Sequence, residues 1–365
     1  MLHRRHFLLS GIIGGLVMNR LSATAPTDRL EEAASSLKQS VESGLVRSAV
    51  IVARIGQHTL ARAFGAATLE SPFLMGSISK PISIAALMTL YDQRAFDLDD
   101  PVQKFLPEFK GDGREKVTVR HLLTHVSGLP DQLPNNAALR KSHATLADFV
   151  RGAMRVPLGF APGTKYEYSS MAILLAAEIA QRISHQNFLQ LVQSSVLTPL
   201  GMTRSAIGLG GLQVEETVPM QIEHAAVEAG GGDPTAKQWD WNSVYWRTLG
   251  APWGGVHASA ADTLRFLDAF TSPEPKIFSV DTARLMIRNH NPSLLIPRGL
   301  GFALGPLTLC PGCSEHSFGH TGSTGTLAWS DPSRELACVV LTALPGRAVK
   351  PHPREVASAC ITKVS

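Results

Sequence analysis

Beyond its N-terminus the 365-residue chain has no basic run, no internal repeat and no low-complexity tract. Its net charge is only +4, so composition gives no electrostatic footprint for nucleic acid. The apolar run Phe7 to Met18 covers about 12 residues, short of the roughly 20 that span a bilayer. No Gly-x-Ser-x-Gly elbow occurs, so the α/β-hydrolase route to a serine esterase has no support. No glycine-rich phosphate loop follows a strand. His121 and His125 have zinc-compatible i, i+4 spacing, but the glutamate of His-Glu-x-x-His and a third ligand are missing, so the pair reads as structural. Cysteine is scarce: Cys310, Cys313, Cys338 and Cys360. In an exported chain they allow three full pairings. Cys310-Pro311-Gly312-Cys313 is a loop staple, a redox motif or simply two thiols, and no thioredoxin-like βαβ pattern surrounds it. Cys338 lies in a buried-strand pattern and reads as core.

What is present is ordinary globular composition, 44% hydrophobic and 18% charged, enough for one large domain or two modest ones. Residues 1–25 stand apart. Arg4 and Arg5 precede the apolar run, and Ala23-Thr24-Ala25 supplies a small-residue cleavage site, the pattern of a secretory signal. Arg4-Arg5-His6-Phe7-Leu8 is similar to a twin-arginine signal, an address rather than an anchor. Cutting after Ala25 would place Pro26 beside the scissile bond, so cutting after Ala23 is the alternative. The expected location is periplasmic or extracellular, with no stable membrane span once the signal is removed.

A helix is expected over about 27–43, started by Thr27-Asp28. Residues 49–56 and 58–66 read as a two-stranded hairpin. A helix opening at Ser77 is apolar nearly all round, and Pro81 fits its first turn. Residues 95–300 carry helical patterns broken by loops, such as 171–184. Strand patterns return at 301–309, 324–331 and 335–344, and a helix at 354–363 ends the chain. Strands at both ends with helices between predict an α+β fold. An antiparallel sheet is built from the N- and C-terminal segments and flanked by helices. A mostly helical subdomain of about 91–299 is inserted into a sheet subdomain of about 28–90 plus 300–365.

The chemistry centres on FLMGSISKP, residues 73–81. Ser77 and Lys80 are i, i+3 neighbours on one helical face. A serine hydroxyl needs something to take its proton, and a lysine does so when burial lowers its pKa. A serine at a helix start also lies near free backbone N–H groups able to hold an oxyanion. The same spacing occurs at Ser35 and Lys38, in a polar helix without companions. Ser77 has companions: Tyr168-Ser169-Ser170 before a buried helix, the segment HLLTHVSGLPD at 121–131, DLDDPVQKFLPEF at 97–109, and His320-Thr321-Gly322 at the head of a strand.

In order and spacing these motifs resemble the serine hydrolases related to class C β-lactamases and D-alanyl-D-alanine carboxypeptidases, whose pattern some esterases and D-amino-acid peptidases share. The resemblance covers roughly residues 28–362 and implies a β-lactamase/transpeptidase-like fold without cofactor or metal. It casts Ser77 as the acylated nucleophile, Lys80 as its proton acceptor and Tyr168 as general acid/base. The Lys80 ammonium would favour the Tyr168 phenolate, and the two would titrate as a pair. Backbone N–H groups of Ser77 and Ser323 would form the oxyanion hole. The substrate-binding set would be His320, Thr321, Gly322, Ser170, Gln132 and Trp253.

Two positions depart from penicillin-directed relatives. Ser170 stands where Tyr-x-Asn has its asparagine, and His320 stands where Lys-Thr-Gly has its cation; histidine is mostly neutral at pH 7. Both changes point to a small ester or amide as substrate. Trp239, Trp241, Trp246 and Trp253 within 15 residues are either an aromatic wall for an apolar acyl group or core packing. The alternatives are a D-alanyl-D-alanine carboxypeptidase, a β-lactamase, or a penicillin-binding sensor that acylates without turnover. A charged cleft rim favours the peptidase; an apolar tryptophan wall favours the esterase.

Overall fold

The structure, a computed structural model, describes residues 25–363 except 273 and 275. The export signal therefore lies outside the described residues. Among the described residues nine strands run β1 Ser48–Ile55, β2 His58–Gly65, β3 Phe73–Leu74, β4 Ala206–Ile207, β5 Val256–Ala258, β6 Ala303–Leu304, β7 Phe318–Gly322, β8 Thr326–Asp331 and β9 Leu336–Thr342. The helices are α1 Pro26–Glu42, α2 Ser79–Asp92, α3 Val119–Leu123, α4 Asn136–Lys141, α5 Leu146–Arg155, α6 Ser170–Ser184, α7 Phe188–Val192, α8 Val244–Leu249, α9 Ala260–Asp268, α10 Val280–Met286 and α11 Pro353–Thr362.

Six strands form one antiparallel sheet in the order β2-β1-β9-β8-β7-β6. Both chain ends build it, as the strand patterns predict, and residues 91–299 contribute no strand to it. Strand alternation divides the core in two. On β1, Ala49, Ile51, Ala53 and Ile55 pack with α1 and α11, while Val50 and Val52 join the larger core around α2 and α6. Because helices cover both faces, β8 and β9 are buried along their whole length and read as continuous apolar runs rather than alternating ones.

Three details differ from the sequence expectation. Residues 301–309 yield only the two-residue β6, because Gly305 adopts φ +72° and Pro306 follows it. His320-Thr321-Gly322 ends β7 rather than heading the next strand. A small second sheet, β3-β5-β4, joins the Ser77 segment to the middle of the chain; strands of two or three residues are too short to show a period. All four cysteines are free, buried thiols, so Cys310-Cys313 forms no staple.

α2 places the candidate nucleophile. A single 3₁₀ turn, Gly76–Ile78, precedes it, so Ser77 sits at the helix mouth. Pro81 is the third residue of α2, where an absent N–H costs no intrahelical bond. Every residue from Ser79 to Leu90 is buried, which matches the all-round apolar pattern.

Candidate active site

The cleft lies where α2, the start of α6 and the β7–β8 edge meet, and has a volume of about 690 Å³. Lys80 is 1% exposed. Its Nζ donates to Ser77 Oγ at 3.1 Å and to the Trp253 carbonyl at 3.1 Å. No carboxylate lies within ion-pair distance of it among the described residues. Burial pulls its pKa from 10.5 down to about 7; Asp131 opposes this and Arg298 adds to it. The contrasting Ser35–Lys38 pair is exposed, and Lys38 reaches Glu42 at 3.6 Å in water. Two further hydroxyls of α2 fix the loop that carries the Trp253 carbonyl: Ser83 Oγ donates to Pro252 O at 2.8 Å, and Ser79 Oγ accepts from Val256 N at 3.0 Å.

Tyr168 stands over the pair, with Lys80 Nζ 4.6 Å from its ring centroid. The phenolate expectation fails here. Burial pushes the Tyr168 pKa up, and contacts with Ser77 and Arg298 only partly offset it. With the lysine lowered and the tyrosine raised, the resting pair at neutral pH is an amine near its midpoint beside a neutral phenol. Such an amine can accept the Ser77 proton, and such a phenol can donate one.

The turn after β7 faces Ser77. Thr324 Oγ1 donates to Leu74 O at 2.7 Å and Thr326 Oγ1 to Met75 O at 2.8 Å, tying the turn to the strand that leads into Ser77. Gly76, at φ +54°, permits the approach: a Cβ there would meet Thr324 Oγ1 at 2.8 Å and Ser323 N at 3.2 Å. The Ser77 N–H belongs to a first helical turn, whose donors lack intrahelical partners. Behind the turn, the buried Arg354 guanidinium donates to the carbonyls of Gly322 and Thr326, the latter at 2.9 Å.

The remaining expected residues, Ser170, Gln132, Trp253, His320, Thr321 and Gly322, all line the same cleft. Ser170 does not replace asparagine as a free donor. Its hydroxyl and N–H both go to Asp131 Oδ1, at 2.6 and 3.0 Å. His320 Nδ1 lies 2.7 Å from the Thr321 carbonyl, which only accepts, so Nδ1 carries the proton and Nε2 is the acceptor. Arg298 Nη2 lies 3.3 Å from that Nε2. Burial and the Arg298 and Lys80 charges hold the His320 pKa well below its usual value. Arg347, Lys350 and Arg354 also line the cleft, and the cation beside His320 is Arg298, 3% exposed and without a carboxylate partner among the described residues. Sequence reasoning missed it, and a lone arginine between Pro297 and Gly299 offers no local signature. His125 and His121 do structural work. His125 packs 4.6 Å from the Tyr168 ring and accepts from Ser169 N at 3.1 Å, while His121 caps α3 through Thr118. Trp241, Trp246 and Trp253 wall the cleft, and Trp239 lies outside it.

A half-buried serine bonded to a buried lysine, a phenol above the pair and a hairpin turn facing the serine share one cleft on a mixed sheet-and-helix fold, an arrangement able to carry out acyl transfer. Residues 33–361 match the family model described as Beta-lactamase, and the chain belongs to that family. Among curated relatives, esterase EstB of Burkholderia gladioli is 34% identical over 184 residues, 44% of this chain and 47% of that protein. Penicillin-binding protein 4* of Bacillus subtilis is 31% identical over 161 residues, 43% of this chain and 34% of that protein. The chain thus spans less than half the length of these relatives. The solved structure of EstCE1, a hydrolase with promiscuous acyltransferase activity, superposes with a TM-score of 0.76 at 20% identity, covering 93% of this chain and 99% of that one. D-amino acid amidase from Ochrobactrum anthropi gives 0.74 at 21% identity, covering 92% and 98%. At such identity these likenesses speak for the fold alone. Among the described residues no helix is long and apolar enough to cross a membrane.

Proposed function

We propose that the protein is an exported hydrolase of small esters or amides that works through an acyl-enzyme on Ser77. The observation that carries this reading is Lys80, buried without a counter-ion among the described residues and donating to Ser77 Oγ at 3.1 Å. Ser77 Oγ attacks the substrate carbonyl while its proton passes to neutral Lys80. The oxyanion that forms accepts from the N–H groups of Ser77 and Ser323. Neutral Tyr168 protonates the leaving oxygen or nitrogen and is reprotonated by the Lys80 ammonium. Water then cleaves the acyl-serine by the reverse proton path, restoring the serine. His320 and Arg298 flank the leaving group, and the indoles of Trp246 and Trp253 lie along the acyl side.

A second reading, a carboxypeptidase-like enzyme for peptides with a free C-terminus, is favoured by one observation: the buried cation of Arg298 in the cleft. A paired assay separates the two. The mature protein is incubated with p-nitrophenyl butyrate, with a D-Ala-D-Ala peptide and with a fluorescent penicillin, followed by mass spectrometry of the Ser77 peptide. Rapid ester turnover without a lasting penicillin adduct supports the first reading. Peptide turnover with a persistent adduct supports the second. Ser77→Ala should end turnover and labelling, and Ser35→Ala should change neither. Loss of activity in Ser35→Ala would overturn the choice of nucleophile.

A further inference from the structure

The tryptophan side of the cleft is not the plain apolar wall its sequence suggests. Arg140 on α4 lines it, one helical turn after Asn136, so the two share a face. Arg140 is 3% exposed. Its guanidinium stacks 3.6 Å from the centroid of the Trp246 ring. Its protein acceptor is the Glu228 carbonyl, and its Nε is buried without a partner. Trp246 Nε1, beside it, is also buried and unpartnered. Tyr245, Glu228 and Asp240 act on it electrostatically, and neither acid forms an ion pair with it. Burial lowers its pKa to about 10, so it remains a cation at neutral pH.

A sealed cation with an orphaned donor is costly unless an anion completes it. A carboxylate is the group whose two oxygens fit a guanidinium edge. The path from the reacting centre is laid out in rings. The Trp253 carbonyl accepts from Lys80 Nζ at 3.1 Å, the Trp253 and Trp246 rings lie 6.3 Å apart, and Trp246 carries Arg140 on its face. The indoles of Trp253 and Trp246 line the same cleft as Ser77 and Arg140, an apolar surface suited to a methylene chain. The amides of Gln132 and Asn136 line the same stretch.

We propose that the acyl side of the cleft takes acyl groups that end in a carboxylate, with an apolar spacer against Trp253 and Trp246 and the acid at Arg140. This rests on the acyl-enzyme reading of Ser77. Arg298 is a different cation on the leaving-group side, and the test separates the two. The enzyme's kcat/KM is measured on mono-p-nitrophenyl adipate and suberate against the neutral hexanoate and octanoate of equal length, corrected for spontaneous cleavage. At least one acid-ended ester should exceed its neutral partner by about tenfold or more, the scale of one charge-assisted pair. Arg140→Gln should remove that preference, whereas Arg298→Gln should keep it. Fluorophosphonate labelling of Ser77 checks that the Arg140→Gln site is intact. Asn136→Asp adds a negative charge on the same helical face and should cut the preference with Arg140 still in place. Equal rates on acid and neutral esters in the wild type, or a preference that survives Arg140→Gln, would overturn the proposal. Failure of all four esters together with no labelling at Ser77 would instead overturn the acyl-enzyme reading beneath it.

Discussion

Replacing Lys80 with methionine should make the protein more stable while silencing it. The side chain is sealed between α2 and the Trp253 loop. Its pKa falls from 10.5 to about 7 because burial disfavours the ammonium. At about 1.36 kcal/mol per pKa unit, holding this lysine in the fold at pH 7 costs about 4 kcal/mol. The sign follows from proton counting. Between pH 7 and 10.5 the unfolded chain keeps a proton that the folded site has released, so stability climbs with pH across that window. The penalty is complete below about pH 7 and is nearly gone above about pH 10.5. Methionine has similar bulk and no charge, but it abandons the Trp253 carbonyl, a loss of about 1 kcal/mol. Lys80→Met should therefore gain about 3 kcal/mol at pH 7, a rise in Tm on the order of 5 °C. At pH 10 most of the gap should vanish, because the wild type has recovered. Thermal unfolding of both proteins at the two pH values measures it. A methionine variant no more stable at pH 7, or a Tm gap equal at both, would refute the account of Lys80 as a buried amine kept near neutrality.

Two further substitutions test the electrostatics and the turn. Arg298→Gln removes a positive charge that helps to lower the Lys80 pKa. The acid limb of kcat/KM, expected near pH 7 in the wild type, should move to higher pH, by about one unit for each roughly 1.4 kcal/mol that the lost charge contributed. Activity lost at pH 7 should return near pH 9, and an unmoved limb would count against the assignment of the base. Arg354→Gln should lower kcat on p-nitrophenyl butyrate by about 10- to 100-fold, because the carbonyls of Gly322 and Thr326 lose the guanidinium that holds the turn around Ser323. Added guanidinium ion should restore part of that rate; a raised KM with unchanged kcat would show that Arg354 serves binding instead.

How far the sequence reaches depends on whether the signal is local. α1, the β1–β2 hairpin, α2, α6, β8, β9 and α11 are each long and periodic enough to be read directly, and strand patterns at both chain ends imply the shared sheet. Ser77, Lys80 and Tyr168 are legible because each sits in a short motif with fixed neighbours. Arg298 and Arg140 are not, since each is a single cation whose meaning depends on lacking a carboxylate in three dimensions. Asp131 is readable as a loop residue beside Gln132, but its grip on Ser170 is a contact across 39 positions that no periodicity reports. The protonation of Tyr168 is not legible for a related reason. Sequence places an ammonium nearby but gives no measure of how completely the phenol is withdrawn from water, and burial dominates.

The ties from Thr324 to Leu74 and from Thr326 to Met75 join residues about 250 positions apart. A ribosome therefore releases the serine, the lysine and the tyrosine long before the turn that completes their site. Until the last strands are threaded into the sheet, Ser77, Lys80 and Tyr168 lack the turn that faces the serine in the finished fold. The cleft is thus closed by the last part of the chain to be made.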